Sequence, residues 1–102
     1  MEAVIHPQNQ KIARRLKEIA DLLRQQGASH FRFEAYERAS STLRGLDLPV
    51  GRLLSRGGIE ALIALPNIGE GIASVIEDIV LHGHSRVLDR LRSGDDVEKL
   101  FQ

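Results

Sequence analysis

The sequence predicts an all-α fold, a compact domain of four to five helices. Three observations predict it. The apolar residues are mostly Leu, Ile, Ala and Val, and they recur at helical rather than alternating spacing. Glycine and proline fall between these periodic stretches, where they punctuate helices. The chain has 102 residues, no Cys and no Trp, which fits one small core built without disulfides. A domain of this size buries about two-thirds of the surface its unfolded chain exposes.

The elements follow in order. Ile12, Leu16, Ile19 and Leu23 form one helical stripe, with Asn9 read as its N-cap and Gly27 as its C′ stop. Arg14–Glu18 and Lys17–Asp21 have the i,i+4 spacing of ion pairs on the wet face. A second helix spans about 31–44, capped by Ser29 and ended by Gly45. Ala35, Ala39 and Leu43 share its face beside Tyr36 and Ser40, and small residues there allow a neighbouring helix to come close. After Pro49, a short helical piece over about 50–55 is broken by Gly57-Gly58.

The stretch from Ile59 to Gly83 carries the chemical signal. A short helix over 59–64 meets Leu65-Pro66, and Asn67-Ile68-Gly69 makes a tight turn with two residues that tolerate positive φ. The next helix begins near Glu70, carries Ile72, Ile76, Ile79 and Val80 as its stripe, and closes at Gly83. Two helices joined by so short a turn form an αα-hairpin. The second helix starts with free backbone N–H groups at the positive end of its dipole. Gly69 and Gly71 hold no side chain in front of those groups, so the turn is able to receive a phosphate oxygen without a basic side chain. From these residues alone, a plain connection between two bundled helices explains the same pattern.

Charge and composition exclude several classes. Fourteen basic residues balance fourteen acidic ones. The halves differ: residues 1–58 hold ten basic and six acidic side chains, a net of +4, and residues 59–102 hold four and eight, a net of −4. This is either a dipolar layout or a solvated surface of uneven sign. No stretch approaches the roughly 18 apolar residues of a membrane span, and the N-terminal residues lack the apolar core of a secretory signal, so a cytoplasmic location is expected. Without Cys, the four His residues offer no metal-ligand spacing, and no cofactor is required. His82 and His84 flank a helix end, where positive charge suits the dipole. Gly69-Glu70-Gly71 follows a helix and not a strand, so it is not a dinucleotide-binding loop.

Leu65-Pro66-Asn67-Ile68-Gly69-Glu70-Gly71-Ile72-Ala73, with Ile76-Glu77 and Gly83 beyond it, resembles a helix-hairpin-helix motif. The upstream stretch from Phe31 to Ala39 is similar to the second helix of the N-terminal, lyase-type domain of DNA polymerase beta and the family X polymerases, and Glu18 to Leu23 is similar to its first helix. The resemblance covers about 9–91. It implies a compact all-α domain, a DNA partner and a role in DNA repair or replication. It implies that Pro66, Asn67, Ile68, Gly69, Glu70 and Gly71 meet a backbone phosphate, with Arg32, Tyr36 and Arg86 on the same side. It also implies a Na⁺ or K⁺ ion at the carbonyls of Ile63, Leu65 and Ile68.

The family's lyase chemistry does not transfer to these residues. With Leu65-Pro66 matched to the family motif, the Schiff-base lysine position is Val75, which has no amine to form an imine. Other basic family positions fall on Gly71, Ile63 and Val87. Tyr36 keeps the family tyrosine and Arg32 a basic position. Glu70 stands where many bacterial relatives carry a basic residue, and it places a negative charge where a phosphate would dock. Near the C-terminus, Asp95 to Glu98 reads as a capping box, and 97–101 repeats the pattern of 59–63. This reads either as the start of a second hairpin cut off at about 95–102 of a longer protein, or as a tail helix packing Leu100 and Phe101. The whole chain is read as one domain with its hairpin at about 59–83. The expected function is a non-catalytic, sequence-independent DNA-binding module. The alternative is a protein-interaction domain that kept the fold and lost DNA binding.

Overall fold

Pro7 opens the first helix, α1 (Pro7–Gln25), because its fixed φ suits a helix and its missing N–H would be unpaired in a first turn anyway. The structure, a computed structural model, describes residues 5–94. Four helices follow: α2 (His30–Arg44), α3 (Val50–Ile63), α4 (Glu70–His82) and α5 (Arg86–Arg92). There is no strand among the described residues. The expected all-α class and helix number hold, with α5 as the fifth helix. The expected capping box at Asp95 and the second hairpin at 95–102, with Leu100 and Phe101, lie outside the described residues.

The α1 stripe is buried as its period predicts: Ile12, Leu16, Ile19 and Leu23 are all at most 2% exposed. Its main partner is α2, whose Tyr36, Ala39 and Leu43 are buried against it. Ser40 Oγ donates to Ala13 O at 2.7 Å, a contact that only small residues at the crossing permit. Lys17 and Arg24 of α1 reach across to Glu37 of α2 at 3.1 and 3.2 Å. Gly27 stops α1 in the left-handed region, with φ +76°, as its reading as a C′ residue requires.

Asn9 is not the N-cap of α1. Because Pro7 starts the helix earlier, His6 occupies the cap position and Asn9 lies inside, 1% exposed. Asn9 serves another helix instead. Its Oδ1 accepts from Val50 N at 2.7 Å, and its Nδ2 donates to Leu48 O at 2.9 Å. Gln8 Oε1 likewise accepts from Gly51 N at 2.8 Å. The cap residue of α3 is Pro49, which has no side-chain acceptor, so two residues of α1 satisfy the first N–H groups of α3. A Cβ on Gly51 would sit 2.9 Å from Gln8 Oε1, so a larger residue there would displace the Gln8 amide.

The break expected at Gly57-Gly58 is present inside α3. Helical turns continue on both sides of a kink at Gly58, with φ 65° and ψ −164°. That conformation is nearly confined to glycine, and it redirects the axis without a loop. The Arg14–Glu18 pair is absent among the described residues. Glu18 instead accepts two hydrogen bonds from Arg92 of α5, at 2.7 and 2.8 Å. A two-pronged guanidinium contact is stronger than a single i,i+4 pair. The Lys17–Asp21 pair forms at 3.2 Å. Helix α5 is capped by the buried Ser85, whose Oγ accepts from Leu88 N at 3.4 Å.

Candidate nucleic-acid interface

The turn between α3 and α4 is shaped by short-range contacts. Leu65 N donates to Leu62 O at 3.0 Å and Ile68 N to Leu65 O at 3.3 Å, which winds the chain out of α3. Asn67 then takes a φ of +64°, the one positive φ held by a residue other than glycine among those described. Its side chain donates to Thr42 Oγ1 at 3.3 Å, tying the turn to α2. Ile68 is 4% exposed and anchors the turn in the core. Gly69 is the cap position of α4 in extended conformation, with no side chain to satisfy the first N–H groups of the helix. Ideal Cβ atoms on Gly69 and Gly71 would meet nothing within 4 Å, so the space before those groups is open.

An open cleft of about 390 Å³ lies there. Asn67, Gly69, Gly71 and Ile72 form one wall, and the start of α2 forms the other with Ser29, Phe31, Arg32, Ala35 and Tyr36. The structure therefore places Arg32 and Tyr36 beside the turn. Pro66, Ile68 and Glu70 belong to the turn but do not line the cleft. Arg86 lines a separate depression, with His84, Asp89, Arg90 and Ser93. There His84 Nδ1 is 2.8 Å from Asp89 Oδ2.

The cleft joins two kinds of polar group. Unpaired backbone N–H groups come from α4, with the positive end of its dipole. Tyr36 is 2% exposed, and its buried hydroxyl has no hydrogen-bond partner among the described residues. Burial pushes its pKa up to about 12, and the nearby Arg32 guanidinium counteracts part of that rise. Tyr36 is thus a neutral phenol at any ordinary pH. Glu70 is exposed at the first position of α4 and forms no ion pair among the described residues. Its carboxylate favours the helix by about 0.3–1 kcal/mol and opposes an arriving anion.

Val75 is 3% exposed and belongs to the core cluster. The carbonyls of Ile63 and Ile68 accept no backbone hydrogen bond across the turn, and Leu65 O accepts a long one from Ile68 N. Among the described residues, no group of three or more His, Asp or Glu side chains could hold a metal ion, and no helix is long and apolar enough to cross a membrane.

Four lining residues went unmarked as site residues in the sequence: Ser29, Phe31, Ala35 and Ile72. The available signal was at Phe31, a large aromatic at the start of a helix with Ala35 one turn on; it is 79% exposed at the rim. No curated protein matches the chain. A family model described as a helix-hairpin-helix domain matches residues 7–85. That span runs from the start of α1 past the end of α4, and with the turn geometry at Asn67–Gly71 it shows that this chain belongs to the helix-hairpin-helix domain family.

Proposed function

We propose that the chain is a non-catalytic, sequence-independent DNA-binding module, similar to the N-terminal domain of family X polymerases but without its lyase chemistry. One observation carries the reading: the cleft that brings the start of α4 together with Arg32 and Tyr36. Backbone N–H groups at a helix start bind phosphate oxygens without reading bases, so the contact is blind to sequence. A Na⁺ or K⁺ ion held by Ile63, Leu65 and Ile68 carbonyls would add positive charge beside the phosphate and offset Glu70. Lyase activity is not part of this reading, because an imine requires an amine and the hairpin helices carry no lysine. DNA repair or replication in the cytoplasm is the setting this reading implies.

Few phosphate contacts give weak binding, with a Kd on the order of 10⁻⁴–10⁻⁶ M and a shallow salt dependence. Titration of labelled gapped and duplex DNA at low salt tests this. A Kd weaker than about millimolar overturns it, since non-specific binders are tighter than that. Glu70→Lys should tighten binding by replacing a repelling charge with an attracting one. A second reading, a protein-docking domain on the same scaffold, is favoured by the Glu70 carboxylate and by the exposed Phe31 ring. Under it, Glu70→Lys leaves DNA affinity unchanged.

A further inference from the structure

A second charged surface lies on α1. Lys11, Arg14, Arg15 and Glu18 line one shallow depression, which shares no residue with the hairpin cleft. Other cations on α1 and α2 are ion-paired: Lys17 with Asp21 and Glu37, Arg24 with Glu37, and Arg38 with Glu34. Lys11 and Arg14 form no ion pair or hydrogen bond among the described residues. The single carboxylate of the depression, Glu18, is already held by Arg92 at 2.7 Å and lies 3.7 Å from Arg15. Asp89, the next acid on α5, is engaged by His84 at 2.8 Å. The strip therefore gathers four cations, Lys11, Arg14, Arg15 and Arg92, around one acid in a chain of zero net charge.

We propose that this strip is a second contact for a nucleic-acid phosphate backbone, separate from the hairpin. Cations crowded at i, i+3 and i+4 repel one another in the free protein, and a polyanion relieves that repulsion. Lys11 and Arg15 are about 6 Å apart along the helix axis, which suits charges repeated along one strand. An anionic membrane is the poorer partner. A membrane-surface helix inserts an apolar face, and the apolar face of α1 is buried in the core. This inference rests on nucleic acid being the partner, but not on the hairpin being the point of contact.

The test uses the full chain and the variant Lys11→Ala/Arg14→Ala. Fluorescence anisotropy of a labelled random-sequence duplex is followed across a series of KCl concentrations, with Glu70→Lys measured in parallel. The double variant should bind about tenfold more weakly and its salt slope should fall by about two, one for each lost phosphate contact. Its thermal unfolding temperature should be unchanged or slightly raised, because neither side chain forms an ion pair or hydrogen bond among the described residues and their mutual repulsion is removed. An unchanged Kd and slope overturn the strip, and they leave the hairpin standing if Glu70→Lys still tightens binding. A weakened double variant with an inert Glu70→Lys supports the strip and removes the hairpin. If the wild-type chain does not bind the duplex at low salt, both fall. Capture on phosphatidylglycerol vesicles that the double variant loses, with duplex affinity unaltered, assigns the strip to lipid and overturns the proposal.

Discussion

At the scale of single residues, Tyr36 is the group most at odds with ordinary packing. A buried hydroxyl is nearly always hydrogen-bonded, because an unmet one forfeits its bonds to water. Tyr36 packs its ring against the core while its hydroxyl has no partner among the described residues. Removing the oxygen should therefore cost the folded protein nothing. We expect Tyr36→Phe to leave the unfolding free energy unchanged or to raise it by up to about 1 kcal/mol, since the desolvation penalty disappears with the group. Chemical denaturation reads that directly. If a bound phosphate or sugar supplies the missing partner, the same variant should weaken DNA binding by about 2- to 10-fold, the worth of one ordinary hydrogen bond. A variant that is less stable than wild type would mean that the hydroxyl is satisfied in solution. Asn67 shows the opposite case, in which residue chemistry and position agree. Its side chain tolerates a φ of +64° and also reaches Thr42, so the turn is held on both sides.

At the scale of elements, the least conventional feature is the start of α3, whose first N–H groups are satisfied by residues of α1. Asn9→Ala should remove an acceptor from Val50 N and a donor from Leu48 O in a site that water does not reach. Two unmet buried groups at about 1–3 kcal/mol each predict a loss of roughly 2–4 kcal/mol, visible as a lower urea midpoint. Asn9→Asp keeps the acceptor and should lose less than Asn9→Ala at neutral pH. This clasp also explains what the sequence can and cannot disclose. Helices α1, α2 and α4 are legible because their stripes are local and periodic and because Gly27 and Gly83 end two of them in the left-handed region. The hairpin turn is legible for the same reason, since its backbone bonds lie within a few positions of Asn67; its tie to Thr42, 25 positions away, is not. Asn9 looks like a local cap, yet its partners lie about 40 residues away, and only the packing of α1 against the start of α3 brings them together. The break at Gly57-Gly58 is legible as well, because it is local: Gly58 takes a φ of 65° and separates two helical pieces. The far wall of the cleft is illegible on the same grounds as Asn9. Ser29 and Phe31 reach the turn only through the placement of α2.

At the scale of the whole molecule, zero net charge conceals an uneven layout, and the basic first half is joined to the acidic second half at few points. The clearest is Glu18–Arg92, which ties α1 to α5 across 74 positions of sequence. The Arg92 guanidinium, through its hydrogen bonds, holds the Glu18 carboxyl below its usual pKa, with burial opposing that shift. The consequence for stability has a definite sign. The unfolded chain binds a proton at Glu18 at a higher pH than the folded chain does. The pair's stabilisation is therefore complete above the ordinary carboxylate range, and it is lost as pH falls through that range and past the lowered folded pKa. Both side chains are more than a third exposed or close to it, at 35% and 45%, so solvent screens the pair and its worth is under about 1 kcal/mol. We expect Arg92→Ala to lower the urea midpoint slightly at pH 7, to lower it less at pH values below the carboxylate range, and to lower it less at high salt than at low salt. Urea unfolding of both proteins across a pH series checks this. Because Glu18 and Arg92 also border the basic strip, the same variant carries a second signature: it removes a cation from that surface and leaves Glu18 with Arg15 alone. DNA affinity should therefore fall by more than the loss of one phosphate contact alone, since a strip of four cations around an engaged acid becomes three cations beside an exposed carboxylate.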